Sequence, residues 1–439
     1  MGAAEASPSP APDHGLGGRF ARLSALNILA NITVPLTGLV DTAMLGHLDD
    51  IRFLAGVALG SLVFDYVFWT FGFLRMATTG LVAQAVGRRD AREIEAILRR
   101  SLVLAAAAGA AILLLRGPLG AAAFALLSGD AGAEAAGLDY YGARVWGAPA
   151  ALANFVFLGW FLGREESRVA LVMTLVANVA NVALDYLFII HLDQAAAGAG
   201  YATMLSQYLM LTVAVVFYWR RRRPADNRRL FTDLVPWKSM FGLQRDIMVR
   251  TLFLVSTFAV FTDFSARLGT DTLAANALLL RWVTLAAFFI DGTAFAVESL
   301  AGVLHGAGAR RAFGRLLTMA FQSAAAFGAA FAFAAILFPA PLLGTLTSHA
   351  EVISLGSSLR WWLLPVLLFG SAAYVLDGLF LGLTEGRSLR NAMASSAILG
   401  FGPMAWLALH RQDTHLLWAA LASFMCARVL TLGLAWRRL

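Results

Sequence analysis

The chain has 439 residues, 59% of them hydrophobic and only 14% charged, too few polar side chains to clothe a water-soluble globule of that length. An integral membrane protein is expected. A net charge of +7 would suit a nucleic-acid partner if the basic residues formed one patch, but they are scattered along the chain, and membrane topology accounts for them instead.

Residues 1–18 are Ala, Pro, Ser and Gly with two acids and no basic start leading into an apolar core; they read as a disordered tail, not a signal peptide. Apolar runs of the length needed to cross a bilayer, about 20 residues, then follow twelve times. They lie near 22–48, 54–86, 96–116, 138–163, 167–190, 196–219, 241–268, 273–303, 312–338, 354–383, 389–409 and 415–436. Arginines follow every even-numbered run: Arg88 and Arg89, Arg164 and Arg168, Arg220 to Arg223, Arg310 and Arg311, Arg387 and Arg390, Arg437 and Arg438. The loops at the other ends are short and neutral or acidic, as at Asp49-Asp50 and Asp130. Arginine-rich loops stay in the cytoplasm, so both termini are expected there. The single cysteine, Cys426, can form no internal disulfide.

Leu54 to Gly87 recur at Leu273 to Gly306, and Gly159 to Arg168 at Gly378 to Arg387, both at an offset of 219 positions. One half of the chain is thus a copy of the other. The expected domains are a first lobe over 19–221, a basic, Pro-containing linker over 222–240 and a second lobe over 241–439. Two like halves in a membrane are the usual plan of a secondary transporter that alternates access.

Polar residues inside the runs carry the chemistry, since an ionised carboxylate at mid-membrane costs roughly 2.5–3.5 kcal/mol. Asp41 falls in the first run, about 10 Å inside its outer end at 1.5 Å per residue, and its stem is too short to reach the surface. In the fifth run Asn178, Asn181 and Asp185 stand at i, i+3 and i+7 on one helix face. Asparagines also bond neighbouring helices in membranes, which explains the amides but leaves Asp185. Asp41 and Asp185 are therefore expected to share a proton, or to hold a cation with the amide oxygens; low dielectric and mutual repulsion in general favour a proton between paired carboxylates. The positions 219 further on are Ala397, Gly400 and Met404, so this stripe belongs to the first half alone. The second half has its own acids, Asp263, Asp291, Glu298 and Asp377, which either function or pair with Arg75, Arg250, Arg281 and Arg428. Asp65 in the second run has no partner assignable from sequence.

An intramembrane enzyme is the least favoured class: no His-Glu-x-x-His motif or acyl-transfer triad is present, and the only lysine, Lys238, lies in the linker.

Three segments resemble the multidrug and toxic compound extrusion (MATE) family, in its DinF branch. They are Val34-Pro35-Leu36 through Asp41-Thr42-Ala43 and Gly46-His47-Leu48; Phe73-Leu74-Arg75-Met76 with Thr78-Thr79-Gly80 and Ala83-Gln84-Ala85; and Asp291-Gly292 with Ala296, Glu298 and Gly306. The resemblance implies an all-α membrane protein, twelve helices in two pseudo-twofold-related six-helix bundles forming a V. It also implies a monomeric exporter of amphipathic or cationic organic compounds in the inner (plasma) membrane, exchanging them for protons, with no cofactor and no nucleic acid. Sodium-coupled antiport and a lipid-linked glycan flippase are the alternatives within the same superfamily. By the same resemblance Asp41, Asn181, Asp185 and Thr203 form the ion-coupling site for H+ or Na+, Tyr141 and Asn154, with Asn178, line the substrate cavity, and Asp377 matches an acid used in the second lobe. The family commonly has Pro where this chain has Asn27, so Pro35 alone remains to kink the first helix.

Overall fold

A computed structural model of the chain describes residues 15–48, 50–126, 130–221 and 234–438. Among them twelve helices are long and apolar enough to cross a membrane. They are α1 (Leu16–Gly46), α2 (Arg52–Gly87), α3 (Ala91–Leu114), α4 (Ala131–Gly163), α5 (Ser167–His191), α6 (Ala195–Arg221), α7 (Trp237–Arg267), α8 (Thr270–Gly306), α9 (Ala312–Leu337), α10 (Ala350–Gly382), α11 (Gly386–Arg411) and α12 (Thr414–Trp436). The chain is a multi-pass membrane protein.

Each of the twelve expected runs corresponds to one helix. The boundaries moved where capping side chains outweighed hydropathy. Asp90, Asp130 and Asp413 each accept hydrogen bonds from backbone N–H groups of the first turn they precede, at 2.7–3.0 Å, and so start α3, α4 and α12. α1 begins at Leu16, inside the segment assigned to the tail, and the rest of that segment, 1–14, lies outside the described residues. Of the linker, 222–233 lie outside them too, and helix resumes at Leu234. Two short helices, Arg116–Leu126 and Pro339–Gly344, were not expected; each precedes the fourth long helix of its half and is too short to span.

The repeat is conformational as well as compositional. Left-handed turns close α2 at Arg89 (φ 59°) and α8 at Gly308 (φ 69°), and close α4 at Glu165 (φ 60°) and α10 at Thr384 (φ 59°); each pair is related by the offset of 219. The same holds for packing. A Cβ on Gly159 or Gly163 of α4 would strike the Arg75 or Thr79 carbonyl of α2, and one on Gly378 or Gly382 of α10 would strike Ala294 or Glu298 of α8. Small residues let helix backbones approach this closely in lipid, where dispersion contacts replace the hydrophobic effect.

The pseudo-twofold axis runs between the arginine-rich ends of α2 and α8. Gly87 lies against the Val303 carbonyl, Gly306 against that of Gln84, and Gly302 against Ala83. The Gln84 amide donates across the same contact to the Gly382 carbonyl (3.0 Å) and to the Thr384 hydroxyl (3.1 Å). The halves are therefore sealed at the arginine-rich end, while nearer the opposite end α2 and α7 line a cleft of about 320 Å³.

Two hydrophobic cores result, one drawn from the first half and one mainly from the second. α1 belongs to both. Leu16, Phe20 and Leu23 are buried in the second core, whereas Leu45 is buried in the first. Midway, Asn31 donates to the Phe288 carbonyl of α8 (3.2 Å) and Thr33 accepts from Asn178 of α5 (2.7 Å).

Candidate ion-coupling site and central cavity

α1 and α5 run parallel, bonded at Thr33 and Asn178. Two turns further along each helix, about 10 Å, stand Asp41 and Asp185. Parallel helices in register keep residues two turns on opposed, so the carboxyl groups meet side by side, within hydrogen-bonding contact of each other. Asp185 is 1% exposed and accepts from the Asn181 amide at 2.9 Å. Immediately after it α5 changes from α to π geometry over Tyr186–His191, an irregularity often found at functional positions in helices.

Asp41 Oδ1 and Asp185 Oδ1 are both buried with no donor among the described residues. An ionised carboxylate only accepts hydrogen bonds, so two of them facing each other away from water require a positive partner. A proton shared between them satisfies both, as would a small cation. Among the described residues no group of three or more His, Cys, Asp or Glu side chains is arranged to hold a metal ion.

Beyond this pair, toward the arginine-rich end, lies a cavity of about 350 Å³ inside the first half. Asn27, Asn31 and Val34 of α1 form one wall; Asn154, Phe155 and Leu158 of α4, Thr174 and Asn178 of α5, and Thr203, Met204 and Gln207 of α6 form the others, with Phe68 and Arg75 of α2 and Phe295 of α8 at its edge. Apolar carbon dominates this lining, with amides and hydroxyls interspersed, the usual make-up of a small-molecule site. Asn154 donates to the Gln207 backbone carbonyl (2.9 Å) and side-chain oxygen (3.0 Å), which fixes its amide. Asn27, at the family's proline position, is 3% exposed and its amide nitrogen finds no acceptor among the described residues.

Of the residues expected at the site, Asp41, Asn181 and Asp185 are together, while Asn154, Asn178 and Thr203 line the cavity. The Thr203 hydroxyl donates to the Ala199 carbonyl (2.9 Å), leaving its lone pairs free. Tyr141 is not among the lining residues; its ring packs on Phe64 and Phe124, and its hydroxyl donates to the Arg116 carbonyl at 2.9 Å.

The acids of the second half are met by arginines. Both Arg250 and Arg428 donate to Asp377 Oδ2, and Arg75 reaches Glu298 at 3.3 Å while lying over the Phe295 ring at 4.1 Å. Asp291 lies within electrostatic range of all three arginines. Asp263 is exposed and pairs with Arg267 one turn away at 2.9 Å.

Arg144 is the residue that sequence reasoning missed. It projects from α4 into the cavity wall, stacks over Phe64 at 4.5 Å, donates to the Tyr140 hydroxyl, and acts electrostatically on Asp41 and Asp65 while pairing with neither. An arginine inside an apolar run was the available signal.

Comparison with known proteins agrees with this architecture. A family model described as MatE matches residues 27–187 and 247–406. The DNA damage-inducible protein F of Escherichia coli (strain K12) is 36% identical over 420 residues, covering 94% of this chain and 90% of the relative. A probable multidrug resistance protein NorM of Synechococcus is 27% identical over 374 residues, 82% of this chain and 78% of the relative. The outward-facing conformation of a multidrug resistance MATE family transporter superposes with a TM-score of 0.83 at 20% identity, covering 96% of this chain and 95% of that one. With twelve helices in two pseudo-twofold bundles, a family match spanning both repeats and a relative at 36% identity over nearly its whole length, the chain belongs to the MATE family, whose members are multidrug transporters rather than enzymes.

Proposed function

We propose that this chain exports amphipathic organic compounds by exchange with protons, with the Asp41–Asp185 pair as the coupling site and the cavity lined by Asn154, Asn178 and Thr203 as the cargo site. The observation that carries this reading is the pair itself: two carboxyl groups in contact, Asp185 buried and Asp41 half-buried, each with a buried oxygen that no donor among the described residues satisfies. A proton entering between them removes a negative charge about two turns from the cavity, which weakens the hold on a cationic cargo without any direct contact. Coupling requires the pair to differ in proton affinity between the two open arrangements of the lobes. α1 is suited to transmit that difference, because one of its halves is packed in each core and Pro35 lies between them. The arginine-rich end is assigned to the cytoplasm of a cell whose inner membrane holds the protein, with lobes over 19–221 and 241–439.

Sodium coupling is the second reading, favoured by the oxygen ligands that Asp41, Asp185, Asn181 and Thr203 would supply. Proteoliposomes separate the two. Under an imposed pH gradient, efflux of ethidium and ethidium-evoked proton release are expected in the intact chain and are expected to fall at least tenfold in Asp41→Asn. Efflux driven by a sodium gradient alone and indifferent to pH would overturn proton coupling, and full proton release by Asp41→Asn would overturn the assignment of the site.

A further inference from the structure

We infer that the cleft between α2 and α7 is a second station for organic cations, distinct from the central cavity and built on Asp65. The inference rests on the export reading above for its role but not for its existence.

α2 places Asp65 about 20 Å beyond Arg52, in the middle of the bilayer's thickness. An ionisable side chain at that depth is retained for function or paired with an opposite charge. Asp65 is exposed, and it makes no hydrogen bond or ion pair among the described residues. At 100° per residue, Leu62, Asp65, Tyr66 and Trp69 share one face of α2, and that face lines a cleft of about 320 Å³ opposite Phe258, Ala259 and Thr262 of α7.

The chemistry of this cleft is that of a cation trap. Tyr66 and Trp69 are 55% and 59% exposed, large aromatic surfaces left open beside a carboxylate. Aromatic faces attract desolvated cations through the ring quadrupole, and quaternary ammonium groups in particular. No basic side chain lines the cleft. A lipophilic cation with an aromatic body matches all three features: charge for Asp65, faces for Tyr66, Trp69 and Phe258, and an apolar floor.

Position gives the station its role. Phe68, one turn along from Asp65, lines the central cavity, so α2 carries the two volumes on adjoining faces. The cleft lies on the side away from the sealed Gly87–Gly306 contact. Arg144 stands beside Phe64 and Phe68 and acts electrostatically on both Asp41 and Asp65. It is therefore the competitor for the station, and its removal is expected to tighten cation binding there.

The test uses the full-length protein in lipid nanodiscs, titrated calorimetrically with tetraphenylphosphonium against empty nanodiscs. The intact chain is expected to show two binding events. Asp65→Asn is expected to weaken one of them at least tenfold. Ala259→Trp, which fills the cleft without touching charge, should abolish the same event, so that a folding defect in one variant does not decide the matter. Arg144→Gln should tighten it severalfold, and Asp41→Asn should leave it intact even if proton release is lost, which separates this inference from the coupling assignment. Unchanged stoichiometry and affinity in Asp65→Asn and Ala259→Trp, or loss of one and the same event in Asp65→Asn and Asp41→Asn, would overturn it.

Discussion

Four intramembrane acids fall into two kinds, distinguished by what they touch. Asp377 is held by two guanidinium groups and Glu298 by a third, so their charges are met inside the protein. Asp41 and Asp185 meet each other and only an amide. Removing one member of a buried ion pair leaves an uncompensated charge and costs about 3–5 kcal/mol. Asp377→Ala leaves both Arg250 and Arg428 in that state and is expected to lower the unfolding temperature sharply or abolish membrane accumulation, measured by thermal-shift and expression assays. Asp41→Asn relieves repulsion instead, and its unfolding temperature is expected to match or exceed that of the intact chain. Equal destabilisation by both would show that the two clusters are not different in kind. The stripe Asn178, Asn181, Asp185 was legible because helical spacing alone puts it on one face. Arg144 and Asp65 were not, since their meaning depends on which helix each faces, and spacing along one helix carries no information about its neighbour.

At the level of the element, α1 has its two ends buried in different cores, and Pro35 is its only interior proline. Proline cannot donate to the carbonyl one turn back, here that of Asn31, and so leaves a weak joint. The joint falls just past the residues gripped by α8 and α5 and six residues before Asp41. Pro35→Ala restores the missing donor. It is expected to slow exchange severalfold in proteoliposomes while leaving cation affinity unchanged, because binding needs the cavity and turnover needs the bend; loss of affinity with normal turnover would contradict this. The sequence shows the proline but not its leverage. That depends on α1 being held by two lobes, and apolar periodicity reports that a face is buried without saying against what.

For the whole molecule, the seal at the pseudo-twofold axis is built from glycine. Gly87 and Gly306 admit the backbone of the opposite half, and Ala83, wholly buried, meets Gly302. A leucine at 306 cannot be housed against the Gln84 carbonyl, and overpacking of this sort typically costs 1–3 kcal/mol, enough to shift a two-state equilibrium by one or two orders of magnitude. Gly306→Leu is expected to part the lobes at the arginine-rich end. In that background a cysteine introduced as Ala83→Cys should react with a membrane-impermeant maleimide, whereas in the intact background it should not. Equal protection in both would mean that the seal does not control access.

Apolar content, run length and arginine placement fixed a twelve-span membrane protein before any tertiary information, because a bilayer leaves helices as nearly the only way to satisfy every backbone hydrogen bond. The offset of 219 was legible as a repeat of sequence, and the structure adds paired left-handed turns at Arg89 and Gly308 and at Glu165 and Thr384, although the residues of each pair differ. Tertiary structure alone decided which polar groups share a space. It placed Tyr141 on Phe64 and the Arg116 carbonyl instead of the cavity, set Arg144 over Phe64, and opened the cleft beside Asp65. Each of these is a meeting between different helices, and it depends on how far each helix is shifted and turned against its neighbours, which no single run of residues encodes.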